Sequence, residues 1–129
     1  MKLIDANIII RFLLKDHLTQ SPAAKKLLEN LEENLLLTDV AVAEIIWLLI
    51  SYYKLSRKEV VEKIYPILNL PSIDCNKPVL IRALYIYKNF NVDYIDAYLA
   101  AFMDEENLEG IYSFDKDFDK IKDIKRFEP

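Results

Sequence analysis

The 129-residue sequence holds one glycine, one cysteine and one histidine, and each shortage closes off a class of chemistry. Gly110 alone cannot build a glycine-rich phosphate cradle or a dinucleotide fingerprint. Cys75 alone permits no intrachain disulfide and no cysteine-cluster zinc site. With His17 as the only imidazole, two-histidine metal centres are excluded, and a histidine-dependent triad would rest on that one residue. Long apolar runs are also missing. The longest stretch with few charges, Val40 to Tyr53, spans 14 residues and contains Glu44, whereas a bilayer-spanning helix needs about 20. Met1-Lys2-Leu3-Ile4 meets an acid at Asp5, too early for the apolar segment of a secretion signal. The lone thiol fits a reducing compartment, so a cytoplasmic protein with no membrane association is expected.

What is plentiful is apolar surface and carboxylate. Hydrophobic residues make up 53% of the chain and charged residues 29%. That is enough for one packed domain over residues 1–129, and no linker, repeat or low-complexity tract divides it. Twenty-one acids against 17 Lys plus Arg give a net charge of −4. No broad basic nucleic-acid surface follows from that balance, although bound cations can reverse the local sign. Chemistry in this chain is expected to run through acids.

Short apolar runs alternate with longer amphipathic ones. Lys2–Ile4 reads as a short buried strand and Asn7–Lys15 as a helix. Ser21-Pro22 has the form of an N-cap followed by a first helical residue, for a helix reaching about Glu33. Leu35–Leu37 reads as a second buried strand. Thr38 or Asp39 can cap a helix to about Tyr53. Ser56 and Glu59 make a capping box for the next helix, which Pro66 is expected to interrupt. Ile73 lies in a short edge strand, and Asn76 caps a helix to about Lys88. Asp93 opens a last long helix, expected to end at a left-handed Gly110. Ile111–Phe114 and Ile124–Phe127 complete the strands, with a short helical turn between them. Strands separated by helices imply an α/β fold in three α/β/α layers, with a central parallel sheet of about four to five strands. Sites in such sheets form beyond the carboxyl ends of the strands.

Acids occupy those ends. Asp5 follows the first strand, where it could instead cap the next helix. Asp115 follows the strand that begins at Ile111. Glu44 lies two turns into the helix after the second strand. It is the only charge from Val40 to Tyr53 and is expected to be buried among Ala43, Ile45, Ile46 and Trp47. That placement is costly without a partner. A metal or catalytic role is favoured over a buried salt bridge. Asp93 and Asp96 share a helix face. Asp93 is assigned to the cap, with an outer role at the site, and Asp96 to the site itself. Of Asp115, Asp117 and Asp119, Asp115 is chosen and the others are assigned to solvated surface, as is His17. Cys75 is assigned to the core. Four facing carboxylates repel one another unless divalent cations neutralise them. Oxygen donors select Mg²⁺ or Mn²⁺, and two dications would offset a charge of −4. Phosphodiester hydrolysis is the natural reaction for such a site.

Leu3-Ile4-Asp5-Ala6-Asn7-Ile8-Ile9-Ile10-Arg11 resembles the opening motif of PIN-domain ribonucleases, notably the VapC-type toxins of toxin–antitoxin pairs. Val42-Ala43-Glu44 resembles their second acidic motif. Asp93-Tyr94-Ile95-Asp96-Ala97 resembles the third and Ser113-Phe114-Asp115-Lys116-Asp117-Phe118 the fourth. The resemblance runs from residue 2 to about 128. It implies a Mg²⁺- or Mn²⁺-dependent endoribonuclease, an RNA substrate, a homodimer and a cognate antitoxin protein. It implies Asp5, Glu44, Asp96 and Asp115 as metal-binding and catalytic acids, oriented by Asn7 and Ser113. Ser113 stands where Thr is more usual, and the hydroxyl is retained. Arg11, one turn beyond Asn7, is assigned to an ion pair, with phosphate contact as the alternative.

Two other classes compete. A receiver-type signalling domain shares the length and the acidic site, but it needs a phosphoacceptor Asp on a middle strand. This chain has no Asp between Asp39 and Asp74. A catalytically idle PIN scaffold that only binds protein would not need an intact set of acids.

Overall fold

The computed structural model describes residues 1–129, which form two compact units, Met1–Asn76 and Lys77–Pro129. The first contains β1 (Lys2–Leu3), α1 (Ala6–Leu14), α2 (Gln20–Leu28), β2 (Leu35–Leu36), α3 (Asp39–Ser51), α4 (Arg57–Leu68) and β3 (Ile73–Asp74). The second contains α5 (Lys77–Asn89), α6 (Tyr94–Glu105), β4 (Ile111–Tyr112), a 3₁₀ helix over Lys116–Lys120 and β5 (Arg126–Phe127). No helix is long and apolar enough to cross a membrane.

In the first unit the strands lie parallel in the order β1-β2-β3, with Lys2 opposite Leu35 and Leu35 opposite Ile73. Parallel neighbours cannot be joined by a hairpin, so the pairs α1–α2 and α3–α4 serve as the crossovers. The central strand contributes Leu35 to the core, followed by Leu37 just beyond it, and both are almost fully buried. At the edge, Lys2 and Leu3 are exposed and only Ile4 is inside, so the first strand is not the buried one its composition implied. An edge strand lacks a neighbour on one side, and its short apolar residues stay in solvent.

Local chemistry sets where the helices begin. The Thr38 hydroxyl accepts the Ala41 N–H at 3.1 Å at the start of α3. At α4 the Ser56 hydroxyl accepts the Glu59 N–H, and the Glu59 carboxylate accepts the Ser56 N–H, both at 3.1 Å. These bonds satisfy backbone donors that have no partner within the helix. Helix α2 starts earlier than Ser21-Pro22 implied, because the half-buried His17 takes over the capping. Its Nδ1 accepts the Gln20 N–H at 3.0 Å and the Thr19 N–H at 3.3 Å, while the His17 backbone N–H donates to the Ser21 hydroxyl at 3.1 Å. The helix also stops at Leu28, short of Glu33. Pro66 does not interrupt α4, which continues to Leu68. Two residues from the end, the missing N–H costs a single intrahelical bond. Cys75 is half-buried, with its Sγ 3.8 Å from the Leu68 carbonyl oxygen.

The second unit is built on the α5–α6 pair, where Ala83, Ala97, Ala100 and Ala101 are fully buried. Side chains this small let two helix backbones approach closely. Helix α6 ends at Glu105, and the left-handed residue after it is Asn107, with φ of 54°, not Gly110. Asn tolerates this conformation better than most residues because its side chain bonds locally. Strand β4 then pairs in parallel with β5, Ile111 opposite Arg126. The five expected strands are all present as parallel pairs, divided into a three-stranded ladder and a two-stranded one. The ladder bonds of β4 run to the β5 segment, from Ile111 N–H to the Lys125 carbonyl and from Ser113 N–H to the Phe127 carbonyl.

Gly110 serves this pairing through its size. A Cβ there would collide with the Lys125 carbonyl oxygen and lie 2.8 Å from Cε2 of Phe127. Gly110→Ala is expected to destabilise the protein by about 1–3 kcal/mol through overpacking, seen as a lower urea midpoint with an unchanged slope.

Candidate metal centre

The start of α6 places two carboxylates on one face. Asp93 occupies the N-cap position with extended backbone, yet its side chain makes no capping hydrogen bond. Asp96 is the third residue of the helix and is half-buried. On the far side of β4, the chain turns through an interlocked set of bonds. The Asp115 N–H donates to the Ser113 hydroxyl at 3.0 Å, and Asp115 Oδ1 accepts the Asp117 N–H at 2.8 Å. Asp115 thereby caps the 3₁₀ helix, and the turn carries Asp115 and Asp117 together toward α6.

Carboxylate oxygens of Asp96, Asp115 and Asp117 all lie within 4.8 Å of one another. The Asp96 pKa is raised, first by burial and then by the charges of Asp115, Asp93 and Asp117. One counter-charge is close by. Lys120 Nζ lies 2.9 Å from Asp117 Oδ1 and also donates to the Asn91 carbonyl at 3.4 Å. Three carboxylates and one ammonium leave two formal negative charges, which one dication would balance. The donors are all oxygens, the set that suits Mg²⁺ or Mn²⁺ over softer ions. The side chains therefore fit a hard divalent cation.

Asp119 belongs to a different arrangement. Hydrogen bonding to Arg126 holds its carboxyl below the usual range, and the two groups meet at 3.0 and 3.2 Å. The alternation Asp115, Asp117, Asp119 thus splits, with the first two at the cluster and the third in an ion pair. Asp117 was assigned to solvated surface on sequence and is instead half-buried at the cluster. The available signal was the Asp-x-Asp spacing at a capped turn, which ties the second acid's backbone to the first acid's side chain.

Of the residues singled out in the sequence, Asp93, Asp96, Ser113 and Asp115 lie in the second unit, where the clustered oxygens are. Asp5, Asn7 and Glu44 lie in the first. Asp5 occupies the N-cap position of α1 but, like Asp93, makes no side-chain capping bond, so helix capping does not account for its carboxylate. Asn7 is exposed in the first turn of α1. The expected burial of Glu44 is overturned. It is exposed on α3, on the face that also leaves Val40 79% and Trp47 64% exposed. The buried face is formed by Val42, Ile45, Ile46 and Leu49. A helix apolar all round beyond its first residue gives Glu44 no contrast from which to read a side. Arg11 pairs with Asp16 at 3.1 Å, and that hydrogen bond raises its pKa.

The sequence model of the PIN domain family matches residues 2–124, a span that runs through both units and includes every residue of the cluster. No curated protein matches the chain.

The raised Asp96 pKa has a signed consequence for the metal-free protein. Ionising this carboxyl costs more in the folded than in the unfolded chain, so the associated stability is present in acid and lost as pH rises through the raised value. Asp96→Asn is therefore expected to raise the melting temperature in EDTA at pH 7. Near about pH 3, where the carboxyl is largely protonated, it should leave the melting temperature almost unchanged. Thermal scans at the two pH values check this, and equal shifts at both would contradict it.

Proposed function

Because the chain belongs to the PIN domain family, we propose that it is a divalent-metal-dependent endoribonuclease, the toxin of a VapC-type toxin–antitoxin pair. The observation that carries this is the meeting of Asp96, Asp115 and Asp117 within 4.8 Å, with Asp96 pushed toward protonation by burial and then by its charged neighbours. Such a cluster is destabilising unless a cation compensates it. A bound Mg²⁺ or Mn²⁺ would supply charge neutralisation at the phosphate and a water acidic enough to attack at neutral pH.

The protein's own groups have separable parts in this proposal. Asp96 and Asp115 hold the cation. Asp117 adds a third carboxylate, with its charge partly met by Lys120. Ser113 fixes the Asp115 backbone through its hydroxyl, and Asp93 adds negative potential at the start of α6 without being consumed by the cap. In the first unit, Asp5 and Glu44 are proposed as further metal-binding and catalytic acids, with Asn7 as their orienting group. Both carboxylates are exposed, and neither is accounted for by a capping bond or an ion pair. The proposal extends to a single PIN-like domain over residues 1–129, acting as a homodimer on RNA in the cytoplasm and held in check by a cognate antitoxin protein.

Purified protein is expected to cleave total cellular RNA at internal positions in Mn²⁺ or Mg²⁺ and to lose that activity in EDTA. Asp96→Asn and Asp115→Asn should each lower the rate by more than about 100-fold, beyond what loss of an outer-shell partner usually costs. Asp5→Asn and Glu44→Gln test the remaining acids in the same assay. Wild-type rates in the Asp96 and Asp115 variants, with EDTA making no difference, would remove the metal mechanism. A protein that takes up no Mn²⁺ in calorimetry would point to an idle scaffold.

A further inference from the structure

One cation in the second unit is placed where neither RNA contact nor surface solubility explains it. The Arg126 side chain is only 12% exposed, and all three of its guanidinium nitrogens donate hydrogen bonds. Nε and Nη2 donate to the two carboxylate oxygens of Asp119 at 3.0 and 3.2 Å. Nη1 donates to the Ser113 carbonyl at 3.0 Å and to Glu128 Oε1 at 2.7 Å. Ser113 and Asp119 are the two ends of the segment that carries Asp115 and Asp117. A single planar group therefore closes this segment at its base, using the forked geometry that lysine lacks.

The closure connects to the cluster through bonds already described. Ser113 is held on both sides of its peptide, its N–H by the Phe127 carbonyl at 3.0 Å and its carbonyl by Arg126. The Ser113 hydroxyl then holds the Asp115 N–H, and the Asp115 carboxylate holds the Asp117 N–H. Arg126 thus adds to the β4–β5 ladder and the Lys120 bridge in fixing where the two acids stand relative to Asp96. A cation site formed from three side chains depends on such support, since the carboxylates repel one another when no ion is bound.

We propose that Arg126 is a positioning residue for the acidic cluster, whose guanidinium pre-forms the Ser113–Asp119 turn and thereby sets the affinity for the divalent cation. It touches neither the cation nor the substrate. The proposal rests on the metal-dependent reading above and adds a residue that none of the four acidic motifs contains.

Two variants and two readouts test it. Arg126→Lys keeps the charge and loses the fork. Asp119→Asn alters the exposed partner and leaves Arg126 in place, so it keeps the test open if the first variant folds poorly. In the metal-free protein, amide hydrogen exchange at Asp115 and Asp117 is expected to accelerate by about tenfold or more in Arg126→Lys, and by less in Asp119→Asn. By calorimetry, Mn²⁺ is expected to bind Arg126→Lys about 10- to 100-fold more weakly, the range for outer-shell partners of metal ligands. RNA cleavage should need correspondingly more Mn²⁺, with the rate at saturating metal within a few-fold of wild type. Unchanged exchange and unchanged Mn²⁺ affinity in both folded variants would overturn the proposal. So would a lowered melting temperature with neither property altered, the result of a purely structural role. Wild-type protein that binds Mn²⁺ but leaves RNA intact would overturn the nuclease reading alone, because exchange and affinity still decide the role of Arg126. Wild-type protein that binds no Mn²⁺ would overturn both.

Discussion

Like charges held close together are the constraint around which the second unit is organised. Asp96, Asp115 and Asp117 sit closer than separate surface carboxylates would choose, and Asp96 is partly withdrawn from water as well. Both effects oppose ionisation, and both grow weaker if the turn after β4 opens. The fold resists that opening with backbone and side-chain bonds: the parallel β4–β5 pairing, the Ser113 and Asp115 turn, the Lys120 bridge and the Arg126 fork. The arrangement is the one expected of a site that trades some stability of the empty protein for readiness to bind a cation.

Four of the helix starts divide into two kinds, and the division follows chemistry. Thr38 and Ser56 use their hydroxyls on helix N–H groups. Asp5 and Asp93 occupy the same structural position on α1 and α6 with extended backbone, yet leave their carboxylates out of capping. A carboxylate at a helix N-terminus is favoured by the helix dipole even without a direct bond. It can therefore remain available to another ligand at little cost to the helix. Membership of the PIN domain family makes these two positions the natural places to look for a side chain kept in reserve.

Much of this organisation was legible in the residues themselves. The Ser56–Glu59 box, a cap at Thr38 or Asp39 and about four to five strands follow from local spacing, which short-range hydrogen bonds obey, and the strand-end and helix-face positions single out Asp115 and Asp96, which the fold brings together. Two of the failures depended on partners distant in sequence or on contrast the sequence did not contain, and two on short-range bonds of an unfamiliar kind. Gly110 looked like a helix terminator, but its lack of a side chain is needed by Lys125 and Phe127. Asp117 reads, like Asp119, as a solvated surface acid, and the turn distinguishes the two. Glu44 looked buried because its helix is apolar on all sides. His17 was passed over as surface, because histidine is a less familiar cap than the serine four residues later.

The position of Arg126 in the chain has a consequence for biosynthesis. Ribosomes extend a polypeptide from its amino end, so all the candidate acids, from Asp5 to Asp117, are made before the guanidinium that braces the last of them. A chain truncated between Lys120 and Lys125 would hold every proposed ligand, but Asp115 and Asp117 would stand on a turn without its Arg126 brace. The brace is therefore among the last parts of the proposed site to be made.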